Sequence, residues 1–268
     1  MTSKSPDPFA LHFDLSKFAK AVNYYLSYIE LVAVPDSDKD KDSRPHFITE
    51  SAVRFPLAEY LERRLNVSDL ELEFPYPKMK SKRCDFKFSI KGSNDLVEEC
   101  LAEIKYVKST IDLQDFFDDL MRLHFARKYE PKTKTFFIVC GKTSDFTQFF
   151  KNKKVVTDTD EQNVLEHNND PYFTKQEKED LKSPNIEGIL GTDWLSFSGN
   201  DFQTMNISSP LWHEFELSHF YKLDRETKEP VPIVNPVPQM PNNIITRKIC
   251  IAGGDNNSEH SVGIWEVF

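Results

Sequence analysis

The stretches CDFKFSI at 84–90 and AEIKYVKS at 102–109 each set a carboxylate where a strand would favour apolar side chains, and the second adds a lysine two residues after its glutamate. Side chains in a strand alternate faces. Asp85 therefore shares a face with Lys87 and Ser89, and Glu103 with Lys105, while Phe86, Phe88 and Ile90, and Ala102, Ile104 and Tyr106, take the opposite faces. If the two strands are antiparallel neighbours, Asp85, Glu103 and Lys105 converge. Crowded carboxylates raise one another's pKa, and a divalent cation removes that penalty. Mg²⁺ takes a few carboxylates and completes its shell with water and phosphate oxygens. Asp85 and Glu103 would then be metal ligands, and Lys105 would hold or polarise an attacking water and offset charge on a phosphate. The plainer reading of the same residues is a turn cap at Asp85 and a solvated strand face carrying Glu103 and Lys105, as half-exposed antiparallel strands show.

The elements that must position these groups are legible from periodicity. Residues 14–32 read as a helix with Asp14 or Ser16 as cap. PDSDKDKDSRP at 35–45 has no apolar period and reads as a charged loop. A second helix spans 49–65, with Thr49 as N-cap and Pro56 as a kink or a late start. Strands are expected at 70–74, 84–91 and 97–107, with GSND at 92–95 as the turn between the last two. A helix over 112–129, a buried strand at 135–140 and a short helix in DFTQFFKN follow. Mixed order of this kind indicates an α/β sheet covered by helices. Further on, TKQEKEDLK reads as a short helix, and strand-like pieces stand near 187–196, 211–221 and 231–234. ITRKICIAGG and HSVGIWEVF form a β-hairpin around GGDNNSE.

An acidic residue opening one strand, then Glu-x-Lys in the next, then a helix and a strand, resembles the PD-(D/E)XK nuclease superfamily. "CD" at 84–85 stands where that family has Pro-Asp, and "EIK" at 103–105 matches its Glu-x-Lys. The resemblance covers about residues 47–150. It implies an α/β fold with a restriction-endonuclease-like mixed central sheet flanked by helices. The chain then divides into an N-terminal helix and charged loop (1–46), a nuclease core (47–154) and a C-terminal α+β extension (155–268) that packs on the core and ends in the β-hairpin. The family often adds an acidic residue from the helix before the sheet. At 100° per residue, Val53, Leu57, Leu61 and Leu65 fall within about 60° of position 50, so Glu50 lies on the inward face and Glu59 on the outward one. Glu50 is the expected further acidic group, joining Asp85 and Glu103 at the metal. Gln114 stands where some members place a glutamine near the active site; a solvated first-turn residue is the alternative. Lys108 and Lys82 would touch phosphates, or stand as surface lysines.

The implied activity is a Mg²⁺- or Mn²⁺-dependent endonuclease cleaving DNA, in bacterial restriction or anti-phage defence. RNA cleavage would use the same residues. A non-enzymatic scaffold that keeps the sheet and binds a partner protein is the alternative of another class. The net charge of −9 argues weakly against nucleic acid, but residues 78–154 hold 17 Lys/Arg against 11 Asp/Glu, leaving 17 against 32 elsewhere. A basic segment in an acidic chain suits a local phosphate-binding surface. No phosphate-loop, G-x-S-x-G or Cys/His hydrolase pattern occurs, so energy-driven translocation would require a partner such as a helicase or ATPase subunit. No apolar run reaches the roughly 20 residues of a membrane span, and no signal peptide is evident, which makes the expected setting cytoplasmic without a membrane partner. Cys84, Cys100, Cys140 and Cys250 form no C-x-x-C pair and read as reduced thiols. His124 reads as a core histidine. His213 and His219 are spaced for neither a helical zinc pair nor a finger.

Overall fold

The computed structural model describes residues 8–33, 53–54, 57–59, 61–62, 67–91, 97–107, 113–151, 195, 202–207, 209–253 and 259–268. The turn expected at 92–95, the charged loop at 35–45, the helix in TKQEKEDLK and, Leu195 apart, the strand-like stretch at 187–196 lie outside these residues. Helix α1 spans Pro8–Ala33, and residues 53–54, 57–59 and 61–62 are helical. Strands β1 (Val67–Tyr76), β2 (Met79–Lys91) and β3 (Val97–Val107) follow. Then come α2 (Leu113–Tyr129), β4 (Lys134–Lys142) and α3 (Thr143–Lys151). Strand β5 (Phe202–Asn206), helix α4 (Ser209–Phe220), the short strands β6 (Tyr221–Leu223) and β7 (Pro230–Pro232), and finally β8 (Asn243–Ala252) and β9 (His260–Val267) complete the described elements.

The protein is an α/β structure with a mixed seven-stranded sheet ordered β1-β2-β3-β4-β9-β8-β5. Only β3 and β4 run parallel, joined across α2; every other neighbouring pair is antiparallel. Residues of the C-terminal segment supply β5, β8 and β9, and β9 pairs β4 directly inside this sheet. Strands β8 and β9 are the expected hairpin.

Strand alternation divides the core between the two sheet faces. On one face Phe18, Val22 and Leu26 of α1, with Val53, Leu57 and Leu61, cover Phe86, Phe88, Ile104, Ile138 and Ile264. On the other, Phe116, Phe117, Leu120 and Leu123 of α2 pack with Leu101, Phe137, Val139 and Trp265. Val53, Leu57 and Leu61 are buried and Glu59 is exposed, as the helical wheel requires.

Residues 211–221 depart from the sequence expectation: α4 is a helix where a strand was expected. The bulky aromatic content of LWHEFELSHF mimics a strand composition, but tertiary packing decides. Trp212, Phe215 and Phe220 all close on Phe125 of α2, at ring-centroid distances of 6.0, 6.1 and 5.6 Å. Ser209 and Pro210 supply start chemistry suited to a helix.

Candidate active site at the parting of two strands

The paired ladder between β2 and β3 ends at Phe86↔Ala102, one step before Asp85 and Glu103. Both carboxylates lie where the strands begin to part. The backbone there is reconnected through side chains: the Ile104 amide donates to Asp85 Oδ2 at 2.8 Å, and the Asp85 amide donates to Glu103 Oε2 at 3.4 Å. Asp85 is 7% exposed and Glu103 4%. Their burial has partners. Arg54 donates to Asp85 Oδ1 and also to Glu73, and the Tyr76 hydroxyl donates to Glu103 Oε1 at 2.6 Å.

Glu103 and Lys105 share a strand face, as alternation requires, and that face looks onto α2. Lys105 Nζ stands 3.2 Å from Asp119 Oδ2. Arg122, one turn further along α2, bonds Asp119 Oδ1 and brings its Nε to 3.7 Å from Glu103 Oε1. Three carboxylates (Asp85, Glu103, Asp119) thus face three cations (Arg54, Lys105, Arg122). Burial raises the Glu103 carboxyl well above the ordinary range, reinforced by the Asp119 and Asp85 charges and opposed by Arg122 and the Tyr76 hydrogen bond. Burial also lifts Asp119 to about 6 against the pull of Arg122 and Lys105. The Tyr76 phenol, buried beside Cys84 and Glu103, is pushed well up and stays a donor.

Asp119, Arg122, Tyr76 and Arg54 were not among the residues singled out from sequence, although two carried a signal. Arg54 falls about 40° from Glu50 on the helical wheel, among the inward leucines. Asp119 lies on the apolar stripe of Phe116, Leu120 and Leu123, a position where an unpaired carboxylate is costly. Among the expected residues, Glu50 and Lys108 lie outside the described set. Gln114 braces the helix pair, donating to Asp118 Oδ1 at 2.7 Å and to the Leu211 carbonyl at 3.3 Å. Lys82 is near enough that its charge acts on His219.

Helix α4 reaches this cluster through His219, which is fully buried. Its Nδ1–H faces the Phe215 carbonyl at 2.9 Å, which leaves Nε2 to accept from Arg122 Nη1 at 3.4 Å. Burial, with the Lys82 and Arg122 charges, takes its pKa from the ordinary 6.5 to about 3. Between those values only the unfolded chain binds the proton, so this group makes stability rise with pH from about 3 to 6.5. Asp118, lifted by burial to about 7, acts in the opposite sense and removes stability as pH rises from its ordinary 3.8 towards 7. His219→Gln isolates the first effect. The stability gap between wild type and variant should narrow by about 2 kcal/mol on going from pH 6.5 to 5. Urea melts at the two pH values measure it, and a gap independent of pH would contradict a neutral His219. His124, the histidine expected in the core, is half-buried; its Nδ1 meets the Phe268 carbonyl at 2.6 Å, and burial lowers its pKa. The four cysteines are free thiols.

Among the described residues, no group of three or more His, Cys, Asp and Glu side chains is arranged to hold a metal ion. Asp85 and Glu103 nevertheless form an adjacent hard-oxygen pair. A carboxylate oxygen that accepts one hydrogen bond keeps a second acceptor site, and Mg²⁺ needs only one or two protein carboxylates when water and phosphate complete its shell. The donor set fits such an ion. No helix among the described residues is long and apolar enough to cross a membrane. In comparisons with family models, curated proteins and solved structures, nothing matches this chain.

Proposed function

We propose that this chain is a metal-dependent nuclease with a restriction-endonuclease-like sheet, hydrolysing DNA phosphodiesters in restriction or anti-phage defence. The observation that carries the reading is the meeting of Asp85 and Glu103 at the parting of β2 and β3, with Lys105 on the same face as Glu103 and β4 parallel to β3. Asp85 and Glu103 would hold Mg²⁺ or Mn²⁺, which when bound supplies a Lewis acid for a phosphoryl oxygen and lowers the pKa of a bound water. Lys105 orients the attacking water and offsets phosphate charge, and Asp119 fixes the direction of its ammonium. Tyr76 and Arg122 hold Glu103 from two sides. The same residues serve RNA equally well.

The balance of three cations against three carboxylates favours a second reading. A cluster neutralised by its own side chains is a durable scaffold, and the sheet would then present a surface to a partner protein.

Calorimetric titration with Mn²⁺ tests the first reading. The wild type should bind, and Asp85→Ala/Glu103→Ala should not. Equal binding by both proteins would remove the metal from this site. Cleavage of plasmid and single-stranded DNA with Mg²⁺, Mn²⁺ or EDTA, with and without a helicase or ATPase partner, tests the activity itself.

A further inference from the structure

Beyond the carboxylates, α2 continues into the wall of a half-open cavity of about 470 Å³. Phe125, Tyr129, Ile233 and Pro236 line it, and Lys78 and Lys128 stand beside them. The volume lies in the range of small-molecule sites, and the combination of an apolar, aromatic wall with a few charged groups is what such sites use. Both ammonium groups lie over aromatic rings: Lys78 Nζ is 4.5 Å from the centre of Tyr129, and Lys128 Nζ is 5.6 Å from that of Phe125. The site therefore suits a flat, weakly polar group carried on an anionic backbone.

Two separate elements connect this cavity to the carboxylates. On α2, Arg122, Phe125 and Tyr129 follow one another at i, i+3 and i+7 along one stripe. On the β1–β2 hairpin, Tyr76 reaches Glu103 while Lys78, two residues on, reaches the cavity. From Asp119 to Tyr129 the helix advances about 15 Å.

We propose that this cavity is a subsite for one unstacked base of a single nucleic-acid strand, with Lys78 and Lys128 contacting the flanking phosphates. The choice of ligand rests on the nuclease reading of the neighbouring carboxylates, but the test does not require cleavage. The full chain, in EDTA, is titrated by fluorescence anisotropy with a labelled oligothymidylate and with a duplex of the same length. Tyr129→Leu should weaken single-strand binding by about tenfold or more, the loss expected for one stacked base, and change duplex binding by less than about twofold. Lys78→Gln/Lys128→Gln, which keeps both stems and alters only charge, should flatten the salt dependence of single-strand binding by about 1.4 in log–log slope. The proposal is overturned if the wild type does not bind the single strand, if both variants bind it like wild type, or if Tyr129→Leu weakens duplex and single strand alike. A protein that cleaves nothing with any metal, yet loses single-strand binding in both variants, would support the cavity and sink the nuclease.

Discussion

Lys105→Ala should slow phosphodiester cleavage by roughly 10²–10³-fold while leaving Mn²⁺ binding in place. The side chain shares the strand face of Glu103, and Asp119 at 3.2 Å holds its ammonium. A cation fixed in this way acts most strongly on charge that develops during the reaction, a contribution of about 3–4 kcal/mol for one well-placed group. Loss of such a contact lowers the catalytic rate without weakening ground-state binding to the same degree. DNA affinity should fall much less, because on the nuclease reading phosphate contacts would be shared among several basic residues, with Lys82 and Lys108 as the candidates from sequence. The measurement pairs single-turnover cleavage with calorimetric metal titration. Full activity in Lys105→Ala would remove the lysine from catalysis and leave it only as the structural partner of Asp119.

Arg122→Met should destabilise the fold by about 3–5 kcal/mol, the cost of removing one partner from a buried ionic cluster. Arg122 is the common neighbour of Asp119, Glu103 and His219. Methionine fills similar space but leaves Asp119 with Lys105, and leaves Glu103 its hydrogen bonds from the Tyr76 hydroxyl and the Asp85 amide. Such a loss is a large part of the 5–15 kcal/mol that holds a typical domain together. Urea unfolding of the metal-free protein gives the number. Adding Asp119→Leu should return part of the loss, since a buried pair replaced as a whole by apolar groups is often tolerated. A loss below about 1 kcal/mol would mean that water reaches these groups freely.

The sequence made the strands carrying Asp85, Glu103 and Lys105 legible because a period of two resists disguise: a carboxylate among phenylalanines stands out. Helix α2 was legible as an element, but its contribution to the site was not. Its apolar residues surround most of the wheel, since α2 packs on the sheet on one side and on α4 on another. Arg122 therefore looked like an ordinary polar residue on a helix, and the position of Asp119 on the apolar stripe was the one signal that α2 offered. Arg122 is recognisable only once α4 is in place, because its Nη1 meets His219, 97 residues away. The strand expected at 211–221 hid this link. Aromatic side chains there satisfy strand statistics locally, and the facing Phe125, with the start chemistry of Ser209 and Pro210, explains why a helix wins.

The parallel pairing of β3 with β4, and the insertion of β9 beside β4, carry a consequence for how the chain is made. The Thr135 hydroxyl donates to the Val267 carbonyl across 132 residues of sequence. At about 5–20 residues per second, synthesis of that interval takes roughly 7–26 s. For that time the nascent β4 has its β3 neighbour on one side and an open hydrogen-bonding edge on the other, with Phe137 and Val139 awaiting Trp265. An exposed strand edge of this kind recruits other chains. Yield of the soluble protein should therefore depend on translation speed and on chaperones more than its final stability would suggest.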